Sequence, residues 1–172
     1  MGNFKFLNCQ IDLSKWAFMP RLETEFWVKK AISKIKSDKK CSRLIMVLDM
    51  FAGSGCIGIA ILKSIKNARV DFVDVAKSAG EQIEINLKIN KILKERYKIY
   101  QSNLFKKLKG RKYDYIFANP PYVARERTGE VQPQVIKYEP KEALFAGKKG
   151  LDIIKKFLKE TKNFLKPKGV IY

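Results

Sequence analysis

Four consecutive residues, Asn119-Pro120-Pro121-Tyr122, follow the run Asp114-Tyr115-Ile116-Phe117-Ala118. An amide, two prolines and a phenol at that spacing suit transfer of a methyl group to an amide or aryl-amine nitrogen. Such a nitrogen is a weak nucleophile because its lone pair is delocalised. The Asn119 side-chain oxygen can accept one N–H of that group, and the Pro120 carbonyl can accept the other. The lone pair is then localised and aimed, which is catalysis by orientation and preorganised electrostatics. The fixed φ of proline keeps the two acceptors in register. Tyr122 can pack on the plane of the acceptor amide. No strong base is required, and the chain contains no histidine. Taken alone, the same four residues also fit a proline-rich turn with a capping asparagine.

Two other features carry chemistry. Asp49-Met50-Phe51-Ala52-Gly53-Ser54-Gly55 joins an apolar run to a helical pattern. Gly53 and Gly55 let the backbone pass close to a ligand, and a helix N-terminus offers free N–H groups. With Gly58 the stretch satisfies G-x-G-x-x-G, which suits NAD as well as S-adenosylmethionine and also occurs as a plain strand–helix turn. Asp74 stands about 20 residues further on. There its carboxylate can accept both ribose hydroxyls of a nucleoside ligand, the bland alternative being a solvated strand end. Cys56 opens the helix, where a thiolate is favoured, although a small packing residue is the simpler role.

The elements that must hold these groups alternate. Residues 4–13 suggest a short hairpin. Residues 24–36 have helical spacing, with Thr24 as N-cap. Leu44–Asp49 reads as a central parallel strand, and a helix follows from Cys56. Strands are expected at 68–74, 96–101 and 113–118, with a helix over 77–92 between the first two. Residues 124–148 read as an irregular loop. An amphipathic helix spans 151–165, broken by Pro167 and Gly169, and a last strand starts at Val170. Strands alternating with helices predict an α/β fold with a mostly parallel sheet. The three chemical features then share the C-terminal edge of that sheet, where ligands bind.

Length and composition narrow the classes. A chain of 172 residues predicts one domain (1–20 as lead-in, 21–172 as core), of which roughly 70% of the surface can be buried. The net charge is +19. It comes mainly from lysines scattered over every segment, which fits solubility and compositional drift better than a dedicated site for RNA, DNA or ribosome, where clustered arginine is more usual. Cys9, Cys41 and Cys56 are few, odd in number and without metal-ligand spacing, which predicts a reducing, cytoplasmic setting and no metal. The N-terminus has no signal-peptide pattern, and Phe6 stands where a myristoylation motif needs Ser or Thr. The long apolar stretch from Leu44 to Leu62 is interrupted by Asp49, Ser54 and glycines, so a strand–turn–helix is expected rather than a membrane span.

From about residue 18 to 172 the chain resembles the HemK/PrmC family of release-factor glutamine methyltransferases. The resemblance is carried by PRLETE (20–25), LDMFAGSGCIGIAI (48–61), the strand ending at Asp74, SNLF (102–105), FANPPYV (117–123), YEPKEALFAGKKGL (138–151) and FLKPKGVIY (164–172). It implies a Rossmann-like class I methyltransferase fold with S-adenosylmethionine as cofactor. It implies cofactor contacts from Phe51, Ala52, Gly53, Ser54 and Gly55, ribose binding by Asp74, adenine contacts from Asn103 and Leu104, and a further cofactor contact from Asn119. Asn119, Pro120, Pro121 and Tyr122 would bind the substrate glutamine of the Gly-Gly-Gln motif in a peptide-chain release factor. Tyr138-Glu139-Pro140 would support that pocket. Two positions depart from the family: Phe51 replaces the usual first glycine, and Asn103 stands where an acidic residue is common. The family's N-terminal helical domain and C-terminal strand hairpin lie outside the resemblance. The last strand is therefore expected at an exposed sheet edge, in a fragment, a split product or a reduced form. Nucleic-acid adenine methylation, NAD-dependent oxidoreduction and an inactive remnant are the competing readings. PRLETE and YEPKEAL are not expected in adenine methyltransferases, and NAD binding leaves N-P-P-Y unexplained.

Overall fold

A computed structural model describes residues 4–15, 18–38 and 43–172; Cys41, with most of the connector around it, lies outside the described residues. The lead-in forms a hairpin of β1 (Phe4–Phe6) and β2 (Cys9–Ile11). Then follow α1 (Leu22–Ser37), β3 (Ile45–Met50), α2 (Cys56–Ser64), β4 (Ala68–Asp74), α3 (Lys77–Ile89), β5 (Tyr97–Gln101) and β6 (Tyr113–Ala118). Two short helices, α4 (Pro133–Tyr138) and α5 (Lys141–Leu144), precede α6 (Asp152–Thr161) and β7 (Leu165–Ile171). The main sheet has the order β5-β4-β3-β6-β7, and every adjacent pair is parallel. The order reverses between β3 and β6, which makes the crevice beyond their C-terminal ends the topological switch point.

Alternation along the strands divides the core. Val47, Val70, Phe72, Tyr115 and Phe117 pack with the hairpin, α1, α2 and α3 on one face. Leu48, Met50, Val73 and Ile116 pack with Phe105, Leu108 and Phe157 on the other. Helix α2 is buried along almost its whole length. Its close approach to β4 depends on Gly58, where a Cβ would come within 2.3 Å of the Phe72 ring. The third glycine of the pattern is thus a packing residue.

Hydrogen bonds hold the hairpin down. Gln82, Asn86 and Asn90 recur every four residues along α3 and its C-cap and so share a face. Asn86 accepts from the Asp12 amide and donates to the Asp12 carbonyl, and Asn90 does the same for Gln10. Gln82 accepts from the Lys15 amide. The column of side-chain amides serves the open backbone of Gln10 in β2, and of Asp12 and Lys15 just beyond it, as a neighbouring strand would. Asn86 also donates to the Ser54 carbonyl, which ties hairpin, α3 and glycine loop together.

Four boundaries differ from the sequence expectations. Helix α1 begins at Leu22, so Thr24 is a buried first-turn residue and not the N-cap; Glu23 and Glu25 favour that turn through the helix dipole. Helix α3 stops at Ile89, because Asn90 folds back onto the Asn86 carbonyl and Lys91 takes a left-handed φ of 55°. The stretch 124–148 contains α4 and α5 rather than only irregular loop. Helix α6 ends at Thr161, whose hydroxyl donates to the Phe157 carbonyl, and β7 runs through Pro167 and Gly169. An edge strand tolerates proline. The pairing slips between Tyr113 and Tyr115, which face Leu165 and Val170, so the proline and glycine occupy a bulge.

Asp114, the second residue of β6 and so at the other end of the strand from Asn119, has a structural reason to be charged. It accepts from the Met46 amide, an Arg43 guanidinium nitrogen and Lys166 Nζ. One carboxylate thereby fixes the entry ends of β3, β6 and β7.

Candidate active site

The glycine loop leaves β3 in a conformation that few side chains adopt. Phe51, Gly53 and Gly55 have φ of 60°, 54° and 77°. A glycine at position 51 would be unstrained, whereas a phenylalanine holds that φ at a cost. Here the Phe51 ring is held edge-on to Phe157, with centroids 5.7 Å apart. The Ala52 amide donates to the Val73 carbonyl. The Gly53 amide donates to Asp74 Oδ2 at 2.9 Å, and the Ala76 amide to Asp74 Oδ1 at 3.0 Å. Burial pushes the Asp74 carboxyl above its ordinary range, against the pull of the Ala76, Gly53 and Val75 amides.

Beneath this loop lies a group that sequence reasoning missed. Asp49 is fully buried; its Oδ2 accepts from the Gly58 amide at 2.9 Å, and its Oδ1 has no partner. Burial pushes its carboxyl up to about 8; the Gly58 amide opposes this and Asp74 adds to it. A buried unpartnered oxygen costs free energy. The only sequence signal was a lone acid ending an apolar strand. Cys56 is buried, and desolvation raises its thiol to about 12, with Asp49 the next contribution. It is a packing residue, not a thiolate.

A cavity of about 870 Å³ opens over the switch point. Phe51, Ala52, Gly53, Ser54, Asp74, Asn103 and Leu104 line it, and so do Asn119 and Pro121. Gly55, Pro120 and Tyr122 are not in its wall. Gly55 is buried, with the Ile83 side chain 3.0 Å from where a Cβ would stand, and Tyr122 is 67% exposed. Leu104 is buried at a φ of 51°, while Asn103 is exposed. The Asn119 amide is bonded to no other described residue.

The loop carrying Asn119 is braced as well as stiff. The Val123 amide donates to the Leu144 carbonyl, the Ala146 amide to Val123, and the Arg125 amide to Gly147. Val123 and Phe145 form a parallel bridge. Gly150 completes the brace: a Cβ there would lie 2.4 Å from the Tyr122 carbonyl. The cavity wall also includes Phe18 and Pro20 ahead of α1, Thr24 in its first turn, and Arg125, Ile136, Lys141 and Lys156 from later segments. Spacing alone could not find these, because they reach the site only through tertiary contacts. Arg21 and Glu139 meet at 2.8 Å, joining the PRLETE and YEPKEAL stretches. Burial raises the Glu139 carboxyl and Arg21 lowers it.

The arrangement fits a nucleoside-containing cofactor. Its volume falls within the usual ligand range of about 300–1,000 Å³, the backbone of the glycine loop is exposed to it, and a strand-end carboxylate faces it. Among the described residues no group of three or more His, Cys, Asp or Glu could hold a metal ion. Among those same residues, no helix is long and apolar enough to cross a membrane.

The family model described as "Methyltransferase small domain" matches residues 32–147. The chain belongs to this family. Its sheet and helices are those of the class I S-adenosylmethionine-dependent methyltransferase fold. Among curated relatives, a release factor glutamine methyltransferase from Borreliella burgdorferi is 37% identical over 97% of this chain and 56% of its own length. A ribosomal protein uL3 glutamine methyltransferase from Francisella tularensis is 32% identical over 96% of this chain and 52% of its own. Among solved structures, the hMettl16 catalytic domain in complex with MAT2A 3'UTR hairpin 1 superposes with a TM-score of 0.65 at 16% identity, over 91% of this chain and 58% of that one. That likeness shows the fold alone. This methyltransferase small domain spans about half the length of such curated relatives.

Proposed function

We propose that this chain is the catalytic core of an S-adenosylmethionine-dependent protein-glutamine methyltransferase whose acceptor is the glutamine of the Gly-Gly-Gln motif in a peptide-chain release factor. The observation that carries the reading is the shared cavity at the switch point, whose wall includes both the Gly53–Asp74 pair and Asn119. The ordered resemblance from PRLETE to YEPKEAL selects glutamine over adenine.

When bound, S-adenosylmethionine supplies a methyl group on a positively charged sulfur. Asp74 accepts the ribose hydroxyls with lone pairs left over from the Gly53 and Ala76 amides. Leu104 offers an apolar surface to the adenine. Asn119 Oδ1 and the Pro120 carbonyl accept the two N–H groups of the glutamine amide and fix its nitrogen. Pro121 narrows the entrance, and the exposed Tyr122 meets the acceptor as it docks. As the nitrogen bonds to the methyl the S–C bond breaks and its electron pair stays on sulfur, which becomes a neutral thioether; the proton the nitrogen then sheds passes to water along the hydrogen bonds that the two acceptors hold.

The name of the Francisella relative favours one further acceptor, a glutamine of ribosomal protein uL3, through the same chemistry. The protein should be incubated with methyl-labelled S-adenosylmethionine and, separately, a release factor, uL3 and DNA. Label on the Gly-Gly-Gln glutamine is expected; label on uL3 alone would replace the acceptor, and label on DNA adenine would sink the glutamine reading. Asn119→Ala should lower transfer about 10²- to 10³-fold, the usual cost of one preorganised polar group, while calorimetry still detects cofactor binding. An active Asn119→Ala variant would refute the two-acceptor clamp.

A further inference from the structure

We propose that the Arg21–Glu139 ion pair is a positioning latch that fixes the acceptor side of the cavity. This rests on the glutamine-methyltransferase reading for its kinetic consequence, though not for its structural one. The stretch from Arg125 to Phe145 is held weakly by burial: Leu144 is its only buried residue among those described, and α4 has none. Its backbone hydrogen bonds close on the stretch itself and on the neighbouring residues Val123, Ala124, Gly147 and Lys148. Among the described residues, one polar contact ties it to a distant element, and that contact is Arg21 to Glu139 at 2.8 Å.

The two ends of the latch sit unequally. The Glu139 side chain is 8% exposed and Arg21 37%. Removing the arginine would therefore leave a nearly buried carboxylate without its partner, the costly way to break an ion pair. Arg21 is itself set by the Phe18 ring, 5.2 Å from its guanidinium carbon. Each partner is next to cavity wall: Pro20 precedes Arg21, and Lys141 follows Glu139 by two residues. Closing the pair sets the distance between the start of α1 and the α4–α5 segment. The glycine loop and Asp74 are anchored separately, through β3, β4 and Asn86. The latch should govern acceptor docking and leave the cofactor side alone.

The test uses the full chain with Arg21→Ala, Glu139→Gln and the swap Arg21→Glu/Glu139→Arg. Hydrogen exchange should rise about tenfold across residues 125–145 in the single variants, as expected for a low-stability segment losing its tether, with β3 and β4 unchanged. The acceptor KM should rise by about the same factor, tenfold, while S-adenosylmethionine affinity is unaltered. The swap should recover part of both losses. Unchanged exchange in 125–145, a rise spread over the whole sheet, or a loosened segment with an unaltered acceptor KM would each overturn the latch. If the unmodified chain transfers methyl to no acceptor, the functional reading fails and the exchange profile still decides the latch.

Discussion

Asp49 holds its proton for a physical reason: full burial with one oxygen unpaired. Its folded carboxyl is raised to about 8 from an ordinary value of 3.8. Between those values the folded state binds more protons than the unfolded one. Stability should therefore fall as pH rises from roughly 4 to 8 and level off above, with a slope of at most about 1.4 kcal/mol per pH unit from this group. Asp49→Asn keeps the shape and the acceptor for the Gly58 amide but cannot titrate. Denaturant melts from pH 5 to 9 should be flatter for that variant, with a residual slope because Asp71 and Asp74 are also raised. Equal slopes in the two proteins would mean that Asp49 is already ionised. At this scale the glycines, Asp74 and Asn119 were legible in the sequence, because each stands at a fixed offset from a strand. Asp49 was visible only as an interruption, since its significance lies in which partners it lacks.

The N-P-P-Y loop depends on an element that the sequence did not reveal. Proline stiffness was legible at 120 and 121, but the brace comes from Val123, Leu144 and Ala146. These pair across some twenty residues without any periodic signal. Gly150 is where the brace is tightest, with φ of 73° and no room for a Cβ beside the Tyr122 backbone. Gly150→Ala should cost about 1–3 kcal/mol of stability, in the range of overpacking and strained backbone. It should lower methyl transfer far more than it lowers cofactor affinity, because it displaces the acceptor loop and not the glycine loop. A melting curve with parallel calorimetry and transfer assays checks both; a variant that transfers normally would show that the brace is not needed. Pro167 and Gly169 misled for the complementary reason. They break a helix or a central strand, but an edge strand with a bulge accommodates them.

Over the whole molecule 36 lysines and arginines outnumber 17 acids, which leaves +19 unopposed. Several of the acids sit in ion pairs at particular joints, Asp114 with Arg43 and Lys166, Asp71 with Arg111, Glu139 with Arg21. Self-repulsion among the surface lysines should destabilise the fold at low ionic strength. Raising salt from about 20 to 300 mM shortens the Debye length to below 10 Å and should raise the melting temperature, by about 2–4 °C for each kcal/mol of repulsion relieved. A melting temperature that falls with salt would mean that the paired acids outweigh the repulsion.

The sequence by itself determined the alternation of strands and helices, the turn conformation of the glycine loop and the placing of Asp74 and Asn119 at strand ends. Those follow from local rules: side-chain period, backbone freedom of glycine, fixed φ of proline. The tertiary structure alone decided that Asp49 would be left with an unpaired oxygen, that the amides of Gln82, Asn86 and Asn90 would pair the backbone from Gln10 to Lys15 as a strand would, and that Arg21 would find Glu139 across 118 residues. Each of these depends on which surfaces are buried together, and burial is a property of the packed chain.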